Sequence, residues 1–514
     1  MASEHTQFQY KMKITLKLLY AFCILSLNYD CTHKVNTSKF AQPYKEAHRP
    51  QYHFSPPKNW MNDPNGLVYY EGEYHLFYQY YPKATTWGPM HWGHAISTDL
   101  INWKNYPIAL YPDTLGYIFS GSAVIDWKNT TGLGKTNKPP MIAIYTYHNM
   151  SGEKAGTTDY QNQGIAYSTD KGRTWEKYSK NPVLKNQGSK DFRDPKVVWH
   201  EDTQSWVMAL AVKDKISFYT SKNLLDWTLG SDFSPKWAAF GGVWECPDLF
   251  PLKTQNGKNK WVLLVSINPG APNGGGSGTQ YFVGNFDGKK FTPETVSTKW
   301  LDYGADNYAG VTWSDVPKTD GRRLFIGWMS NWLYAQKLPT ELWRSALTVP
   351  RCLVLNENDG KYTLLSKPIE ELTKLRKSSS QVSATNINLT SDMLEIDLET
   401  TAAEFQLVFS NNANETVSLK KINDKIVFDR SKSGIIDFNK DFSNIQNNTP
   451  TNGITINKIK IFIDRSSMEF FFNDGELVIT ELVFPKSGYT SLKTQGINKN
   501  LIVHQLKSIW TTNE

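Results

Sequence analysis

Short apolar and half-apolar segments follow one another through residues 51–365, and turn residues separate them. Segments that begin at Leu67, Val197 and Trp261 alternate apolar with polar positions or stay apolar for a few residues, then end at Gly, Asn, Asp or Pro. Helical periodicity is almost absent from this part of the chain. A period of two with frequent turn residues is typical of antiparallel strands, so the pattern predicts an all-β domain.

Two sequence elements recur within these residues. One is a carboxylate close to proline that leads into a strand, a turn and a second strand, as in NDPNGLVYYEGEYHLFYQYY, RDPKVVWHEDTQSWVMALAV and ECPDLFPLKTQNGKNKWVLLVSI. The other is a polar turn followed by Trp, which begins at Ser97, Ser168 and Ser221. Such repeats predict a β-propeller, and at about 60 residues a unit the segment holds about five blades. A pair of β-sandwiches is the alternative architecture.

The pattern changes after residue 365. Residues 366–383 contain the one plausible helical stretch, and we interpret them as a linker. From residue 384 to residue 514 tryptophan almost disappears, and strands such as those in KIKIFIDRSSMEFFFNDGELVIT alternate cleanly. The whole pattern therefore predicts a five-bladed β-propeller followed by a C-terminal β-sandwich.

Residues 1–31 resemble a signal peptide or an N-terminal anchor. Lysines precede an apolar run at residues 18–27, which is too short to span a bilayer comfortably. We therefore expect a secreted protein with no membrane span, and lipid attachment at Cys31 is the alternative. Residues 32–50 are polar and are expected to form a tether.

Composition narrows the function classes. Charged residues make up only 20% of the chain and aromatic residues 13%, with 18 Trp and 26 Tyr. Flat amphipathic rings of this kind commonly stack on sugars. The net charge of +7 is scattered, and no nucleic-acid-binding motif accompanies it, so nucleic acid is excluded as a partner.

Three carboxylates share a place in the repeat, because Asp63, Asp194 and Glu245 each open an expected inner strand close to a proline. Equivalent positions of different blades surround one central funnel, so the three side chains are expected at one mouth. One such acid is typical of a turn, since Asn-Asp-Pro-Asn-Gly is turn chemistry throughout. Three in register indicate a site, and two carboxylates are the minimum for hydrolysing a glycosidic bond.

The chain also resembles a known family, the β-fructofuranosidases of glycoside hydrolase family 32, which include levanases, exo-inulinases and invertases. The resemblance runs from about His53 to the end and rests on ordered motifs: WMNDPNG at 60–66, FYQYYP at 77–82, FSGS at 119–122, FRDP at 192–195, ECPD at 245–248, GWMSNW at 327–332 and DRSSMEFFFNDGE at 464–476. It implies the same propeller and sandwich. It also implies a secreted, retaining hydrolase that releases terminal β-D-fructofuranosyl residues from levan, inulin or sucrose.

Catalytic roles follow from this resemblance. Asp63 would be the nucleophile that forms a fructosyl-enzyme, and Glu245 would be the general acid and base. Asp194 would stabilise the transition state by accepting hydrogen bonds from fructose hydroxyls. Arg193 and Cys246, which adjoin two of these acids in sequence, would tune them or serve only as packing neighbours.

The resemblance further implies a substrate-binding shell. Asn62 and Gln79 would hold fructose hydroxyls, together with Arg193 beside Asp194. Pocket-lining side chains would be Trp87, Phe119 and Ser120. Three indoles are candidates for the funnel walls, and each fits a blade core equally well: Trp60, Trp92 and Trp328. The chain shows no metal-ligand spacing and no phosphate loop, so we expect no metal and no cofactor.

Several alternatives stay open at this stage. A fructosyltransferase of the same family shares every catalytic residue and differs only in the acceptor. An arabinanase-type propeller glycosidase would use the same three acids, and a non-catalytic fructan-binding propeller would be expected to have lost one of them. The sandwich is expected to brace the propeller or to mediate a homodimer. Linkage preference and exo or endo attack depend on loop shape around Trp328.

Overall fold

Five antiparallel sheets form the larger part of the fold within the described residues. The computed structural model describes residues 44–510 apart from 136–137, 273–274 and 445–446. The first sheet contains β1 (Asn59–Tyr70), β2 (Glu73–Tyr81), β3 (His91–Ser97) and β4 (Lys104–Leu110). The second contains β5 (Tyr117–Ile125), β6 (Met141–His148), β7 (Gln161–Ser168) and β8 (Glu176–Lys177). A one-turn helix, α1 (Met150–Lys154), follows β6.

The next three sheets continue in chain order. The third contains β9 (Arg193–His200), β10 (Ser205–Val212), β11 (Lys215–Ser221) and β12 (Thr228–Phe233). The fourth contains β13 (Val243–Lys253), β14 (Asn259–Asn268), β15 (Gly278–Phe286), β16 (Phe291–Pro293) and β17 (Lys299–Trp300). The fifth contains β18 (Tyr308–Thr312), β19 (Arg323–Met329), β21 (Ala346–Leu347), β22 (Arg351–Asn358) and β23 (Lys361–Pro368), while β20 (Trp343–Arg344) pairs with β1.

The first strands of the five sheets close a ring. β1 contacts β5, β5 contacts β9, β9 contacts β13, β13 contacts β18, and β18 returns to β1. Middle strands such as β6 and β10 are buried along their whole length, because each sheet packs between two neighbours, whereas outer strands such as β12 are largely exposed. This architecture is the five-bladed propeller that the repeats predict.

Two further sheets form the C-terminal β-sandwich. One has the order β24 (Arg376–Gln381), β35 (Leu501–Leu506), β26 (Leu394–Glu399), β31 (Lys458–Asp464), β32 (Ser467–Phe472) and β33 (Leu477–Leu482). The other has the order β25 (Asn386–Asn388), β34 (Ser491–Gln495), β27 (Phe405–Ser410), β28 (Thr416–Ile422), β29 (Lys425–Lys432) and β30 (Asn447–Pro450). A short helix, α2 (Lys440–Asn444), lies between β29 and β30. The sandwich confirms the second half of the predicted fold.

The propeller and the sandwich share a core and a buried ionic network. Phe462, Phe471 and Val478 of the sandwich pack in the same apolar cluster as propeller side chains. His53 lies between two sandwich carboxylates, with Nδ1 2.9 Å from Asp464 and Nε2 2.8 Å from Glu469. The DRSSMEFFFNDGE motif therefore joins the two halves of the molecule.

The predicted boundaries shift where the structure can be compared with them. The 366–383 linker is too long, since β23 extends to Pro368 and β24 already pairs within the sandwich. Its helical part is a single 3₁₀ segment, Glu370–Leu375. The 32–50 tether is also too long, because Arg49 is fully buried and donates to the carbonyl of Pro56 at 2.7 Å. Residues 1–43, with the expected signal peptide and Cys31, lie outside the described residues.

Candidate active site

All five inner strands carry a register irregularity near their first residues. The shifts lie between Met61 and Pro64, Ile118 and Gly121, Arg193 and Lys196, Glu245 and Asp248, and Tyr308 and Val311. A bulge interrupts the ladder and turns a side chain away from the sheet, here towards the axis that the five strands surround. Each strand thereby supplies one polar group: Asp63, Ser120, Asp194, Glu245 and Tyr308.

Asp63 accepts hydrogen bonds at both carboxylate oxygens. Ser120 Oγ donates to Oδ2 at 2.7 Å, and Asn62 Nδ2 donates to Oδ1 at 3.0 Å. The thiol of Cys246 lies 3.6 Å from Oδ2. These contacts fix the carboxylate in one orientation, because Asn62 of the same strand holds one oxygen and Ser120 of the second sheet holds the other.

Glu245 has different partners. Its Oε1 accepts from Arg193 Nε at 3.2 Å and Nη2 at 3.0 Å, and its Oε2 accepts from the Tyr308 hydroxyl. Arg193 is held in turn by Asp191, whose Oδ1 lies 2.6 Å from Nη1. The environments of Glu245 and Asp63 are therefore unequal, because only Glu245 contacts a guanidinium.

Asp194 is almost fully buried, and the Cys246 thiol that contacts Asp63 also lies 3.6 Å from its Oδ2. Its Oδ2 accepts from the backbone N–H of Cys246 at 3.0 Å. The backbone N–H of Asp194 donates to Thr146 Oγ1 at 3.0 Å. Asp194 and Cys246 both adopt left-handed backbone conformations, with φ of 64° and 43°. Strained backbone of this kind at non-glycine residues is common where a site must hold side chains in unusual directions.

Burial dominates the electrostatics of the carboxyls. It raises the pKa of Asp63, and the charge of Glu245 adds to this effect, whereas hydrogen bonds from Ser120 and Asn62 oppose it. Burial also raises the pKa of Asp194 to about 7, although the Arg193 charge opposes the rise. Burial beside these acids raises the pKa of the Cys246 thiol well above its usual range, so the thiol stays neutral.

The predicted funnel-wall indoles lie in the core instead. Trp60, Trp92 and Trp328 are fully buried, so none offers a face to a sugar. Trp60 contributes in another way. Its Nε1 donates to Asn62 Oδ1 at 2.7 Å and so orients the amide that holds Asp63. The ring at the surface of this group is the partly exposed Trp332, which stacks on Trp60 with ring centroids 5.9 Å apart.

The remaining predicted side chains lie beside Ser120. Trp87 packs edge-to-face on Phe119 with centroids 6.0 Å apart, and Phe119 stacks on His148 at 4.1 Å. Gln79 is buried, and its side-chain amide Nε2 donates to the carbonyl of Ile118 at 3.0 Å. Gln79 of β2 and Phe119 of β5 therefore lie where these two strands meet.

The axis is closed beneath the acids. The cavity lined by Pro64, Pro195 and Pro247 has a volume of about 10 Å³, which is enough for about one water molecule. Below it, Lys196 Nζ lies 3.2 Å from Asp248 and donates to the carbonyl of Thr312 at 2.7 Å. A sugar can therefore enter from one mouth only.

Two site residues were not found from the sequence. Tyr308 follows Ala-Asp-Asn and has no neighbouring proline, so it lacks the signal that marks the inner strands of Asp63, Asp194 and Glu245. Its position in the fifth repeat is the one feature that could have indicated it. Trp332 lies in the motif at 327–332, but strand periodicity does not distinguish it from the buried Trp328.

Among the described residues, no group of three or more His, Cys, Asp or Glu side chains is arranged to hold a metal ion. No helix in the described part of the chain is both long and apolar enough to cross a membrane.

Known proteins share this fold and sequence. The profile described as "Glycosyl hydrolases family 32 N-terminal domain" matches residues 53–368, and that described as "Glycosyl hydrolases family 32 C terminal" matches residues 363–508. A levanase of Bacillus subtilis is 48% identical over 91% of this chain and 72% of its own. An extracellular exo-inulinase of Aspergillus awamori is 41% identical over 87% of this chain and 91% of its own.

Solved structures give the same result. The crystal structure of exo-inulinase from Aspergillus awamori is 37% identical, with a TM-score of 0.82 over 91% of this chain and 100% of that chain. A β-fructofuranosidase from Schwanniomyces occidentalis, complexed with fructosyl-erythritol, is 31% identical, with a TM-score of 0.80 over 91% and 99%. Both family profiles, the fold and the full-length relatives agree, and the protein belongs to glycoside hydrolase family 32.

Proposed function

We propose that this glycoside hydrolase releases terminal β-D-fructofuranosyl units from fructans such as levan and inulin, and from sucrose, with retention of configuration. The observation that carries the proposal is the pair of carboxylates in unequal environments, Asp63 held by Ser120 and Asn62, and Glu245 held by Arg193 and Tyr308. Retaining glycosidases use two such groups about 5–5.5 Å apart. The levanase and exo-inulinase relatives support the choice of substrate.

The first step transfers the fructosyl group to Asp63. A carboxylate oxygen of Asp63 attacks the anomeric carbon, the glycosidic C–O bond breaks, and Glu245 gives its proton to the departing oxygen. The hydrogen bonds from Ser120 and Asn62 hold the attacking carboxylate still, so little motion is needed to reach the transition state.

The second step returns the enzyme to its initial state. Glu245, now a carboxylate, takes a proton from water, the water oxygen bonds to the anomeric carbon, and the ester bond to Asp63 breaks. Arg193 and Tyr308 donate to the two oxygens of this carboxylate and so hold it in position to accept the proton. Asp194 accepts from the fructose hydroxyls, and its buried position strengthens those bonds as positive charge develops.

The closed axis supports attack at chain ends. Because the passage beneath the acids holds about one water, the fructosyl unit that reaches Asp63 is a terminal one. Time courses on inulin and levan test this: free fructose should be the first product while long chains shorten slowly. Early intermediate oligosaccharides with little fructose would contradict it. The extracellular relatives support secretion as part of the same proposal.

Paired substitutions test the assignment of the two acids. Asp63→Asn should lower turnover on sucrose and fructans by several orders of magnitude while the protein stays folded, since the nucleophile is lost. Glu245→Gln should fail on natural fructosides but recover partly on a fructoside whose leaving group needs no proton. External azide should accelerate its second step. Near-normal turnover in Asp63→Asn would remove Asp63 from the mechanism.

A further inference from the structure

Trp127 is exposed to a degree that sets it apart from the other tryptophans. All 18 tryptophans of the chain fall within the described residues; Trp127 is 60% exposed, whereas the other 17 are buried or half-buried. An exposed indole lacks the favourable free energy that burial of apolar surface gives the other tryptophan rings. Such a ring is typical of a surface that receives a ligand.

The structure holds this ring in place. Trp127 Nε1 donates to Asp315 Oδ1 at 2.8 Å, and Asp315 Oδ2 accepts from the backbone N–H of Ile125 at 2.9 Å. Asp315 itself has a left-handed backbone with φ of 58°. The Tyr70 ring packs against the indole with centroids 5.8 Å apart. The exposed face is therefore fixed in direction, which lowers the entropic cost of stacking a ligand on it.

A pocket of about 650 Å³ adjoins the indole. Its wall includes Trp199, whose Nε1 donates to Glu201 at 2.8 Å and over whose ring Lys128 Nζ lies at 4.5 Å. The volume falls in the range of roughly 300–1,000 Å³ that is typical of ligand sites. Flat rings beside exposed hydrogen-bonding groups match the chemistry of a sugar, which has apolar C–H faces and hydroxyl edges.

The pocket lies at the opposite end of the propeller from the acids. It is lined by the ends of inner strands, including Ile125 of β5, Trp199 of β9 and Pro251 of β13, whereas the acids lie at the beginnings of their strands. Pro251 lies six positions after Glu245 along β13, a span of about 20 Å. The closed axis lies between the two sites, so no single sugar can bridge them internally.

We propose that this pocket, built on Trp127, Trp199, Lys128 and Glu201, is a second carbohydrate site that binds the body of a fructan polymer. The inference rests on the proposed function, because it takes the polymeric substrate from there. One segment of a chain or particle docks on the Trp127 face, while free chain ends elsewhere on the polymer reach the catalytic mouth. Docking raises the local concentration of chain ends near the catalytic mouth. It should therefore lower the KM for polymer and leave the KM for sucrose unchanged.

Affinity electrophoresis through gels that contain levan or inulin tests the binding, with the full chain carrying Asp63→Asn so that the polymer persists. Trp127→Ala in that background should abolish most of the retardation, and Trp127→Phe should keep part of it. The matched control is Leu229→Ala, which shortens a side chain that is 54% exposed on the outermost strand of the third blade. The control should run as its parent does.

Kinetics complete the test in the otherwise native enzyme. Trp127→Ala should raise KM on polymer several-fold and leave kcat/KM on sucrose within a factor of two. Three results with Trp127→Ala would each overturn the second site. They are unchanged retardation in the gel, a loss of kcat/KM on sucrose equal to that on polymer, and conversion of a dimer to a monomer. Failure of the native enzyme to cleave any fructoside would instead overturn the proposed function, whatever the gels show.

Discussion

At the scale of single residues, a short chain of hydrogen bonds ends on Asp63, the proposed nucleophile. Trp60 Nε1 donates to Asn62 Oδ1, and Asn62 Nδ2 donates to Asp63 Oδ1. The amide has a donor end and an acceptor end, so fixing one end selects the orientation of the other. A fully buried indole can thus act on catalysis without touching substrate.

Trp60→Phe tests this relay, because it keeps an aromatic ring and removes the N–H. We expect kcat to fall about tenfold, which corresponds to about 1.4 kcal/mol, with a smaller change in KM. Trp328→Phe is the matched control, since Trp328 is equally buried in the same cluster and its Nε1 has no hydrogen-bond partner among the described residues. Steady-state kinetics on sucrose would show the contrast; equal effects of both variants would contradict the relay.

Asp194 shows the energetic cost of the site. Its pKa is about 7 in the folded protein against an ordinary 3.8, so its ionised form destabilises the fold. This cost is present in full above pH 7 and disappears as pH falls towards 4, where the folded protein takes up the proton first.

Asp194→Asn should therefore stabilise the protein while it abolishes activity. The free energy of unfolding should rise on the order of 4 kcal/mol at pH 8, and the gain should shrink as pH approaches 4. Denaturant unfolding at several pH values measures it. A variant that is less stable than the native protein at pH 8 would show that Asp194 is held as a favourable charge.

At the scale of elements, the loop after β19 carries Trp332 to the mouth and is fastened from the sandwich. Tyr334 in this loop donates from its hydroxyl to Asp306 at 2.7 Å, and Arg430 Nη2 of the sandwich donates to the same hydroxyl at 3.1 Å. Arg430 also pairs with Asp306 at 2.8 Å. The sandwich thereby fixes a loop whose indole stacks on Trp60.

Tyr334→Phe should loosen this loop by removing the shared hydroxyl. We expect KM on fructans to rise severalfold and stability to fall by about 1–2 kcal/mol. Tyr489→Phe provides the control, because Tyr489 is also buried in the sandwich and donates to the carbonyl of Ser433, away from the loop. A similar stability loss without the KM change is expected there. Identical kinetics in the two variants would mean that the hydroxyl serves stability alone.

At the scale of the whole molecule, a buried charge network joins the propeller to the sandwich. His53 lies between Asp464 and Glu469, and Arg351 pairs with Glu469 and with Asp302. Burial opposes the charge on His53, but the hydrogen bonds that its ring donates to the two carboxylates, together with their negative charges, outweigh burial and raise the pKa of His53 to about 9. The imidazolium consequently stabilises the fold in full below pH 6.5, and this contribution is lost as pH rises through 9.

His53→Gln should remove that pH dependence. The free energy of unfolding of the native protein should exceed that of the variant by a constant amount below pH 6.5, and this difference should shrink by on the order of 3 kcal/mol as pH rises through 9. Thermal unfolding across this pH range decides the matter. A variant that retains the same alkaline decline would place its origin in another group.

The convergence of the three acids could be predicted from the sequence because the repeat itself places them. Asp63, Asp194 and Glu245 stand close to a proline at the start of three repeats, and bulged inner strands direct them to one axis. Tyr308 lacks that signal although its strand has the same bulge. Local sequence shows which strands begin alike, but not which neutral side chain completes the ring.

The indoles were harder to place for a physical reason. Strands buried on both faces are apolar throughout, so a period of two does not show which side of the sheet Trp92 or Trp328 occupies. The end of the predicted 32–50 tether shows the opposite difficulty, because a polar sequence there predicted exposure and Arg49 is buried. Arg49 is polar in sequence, but Glu46 and the carbonyls of Pro56 and Pro57 satisfy its guanidinium in the core.

The stereochemistry of transfer tests the central claim most directly, because it depends on Asp63 and Glu245 acting in two successive steps. Sucrose should be cleaved by the native enzyme in water that contains methanol, and the stable methyl fructofuranoside product examined by NMR. Two displacements at the anomeric carbon predict the β-anomer, with Asp63→Asn yielding none. A methyl α-fructofuranoside from the native enzyme would contradict the fructosyl-enzyme on Asp63 and the roles assigned to both acids.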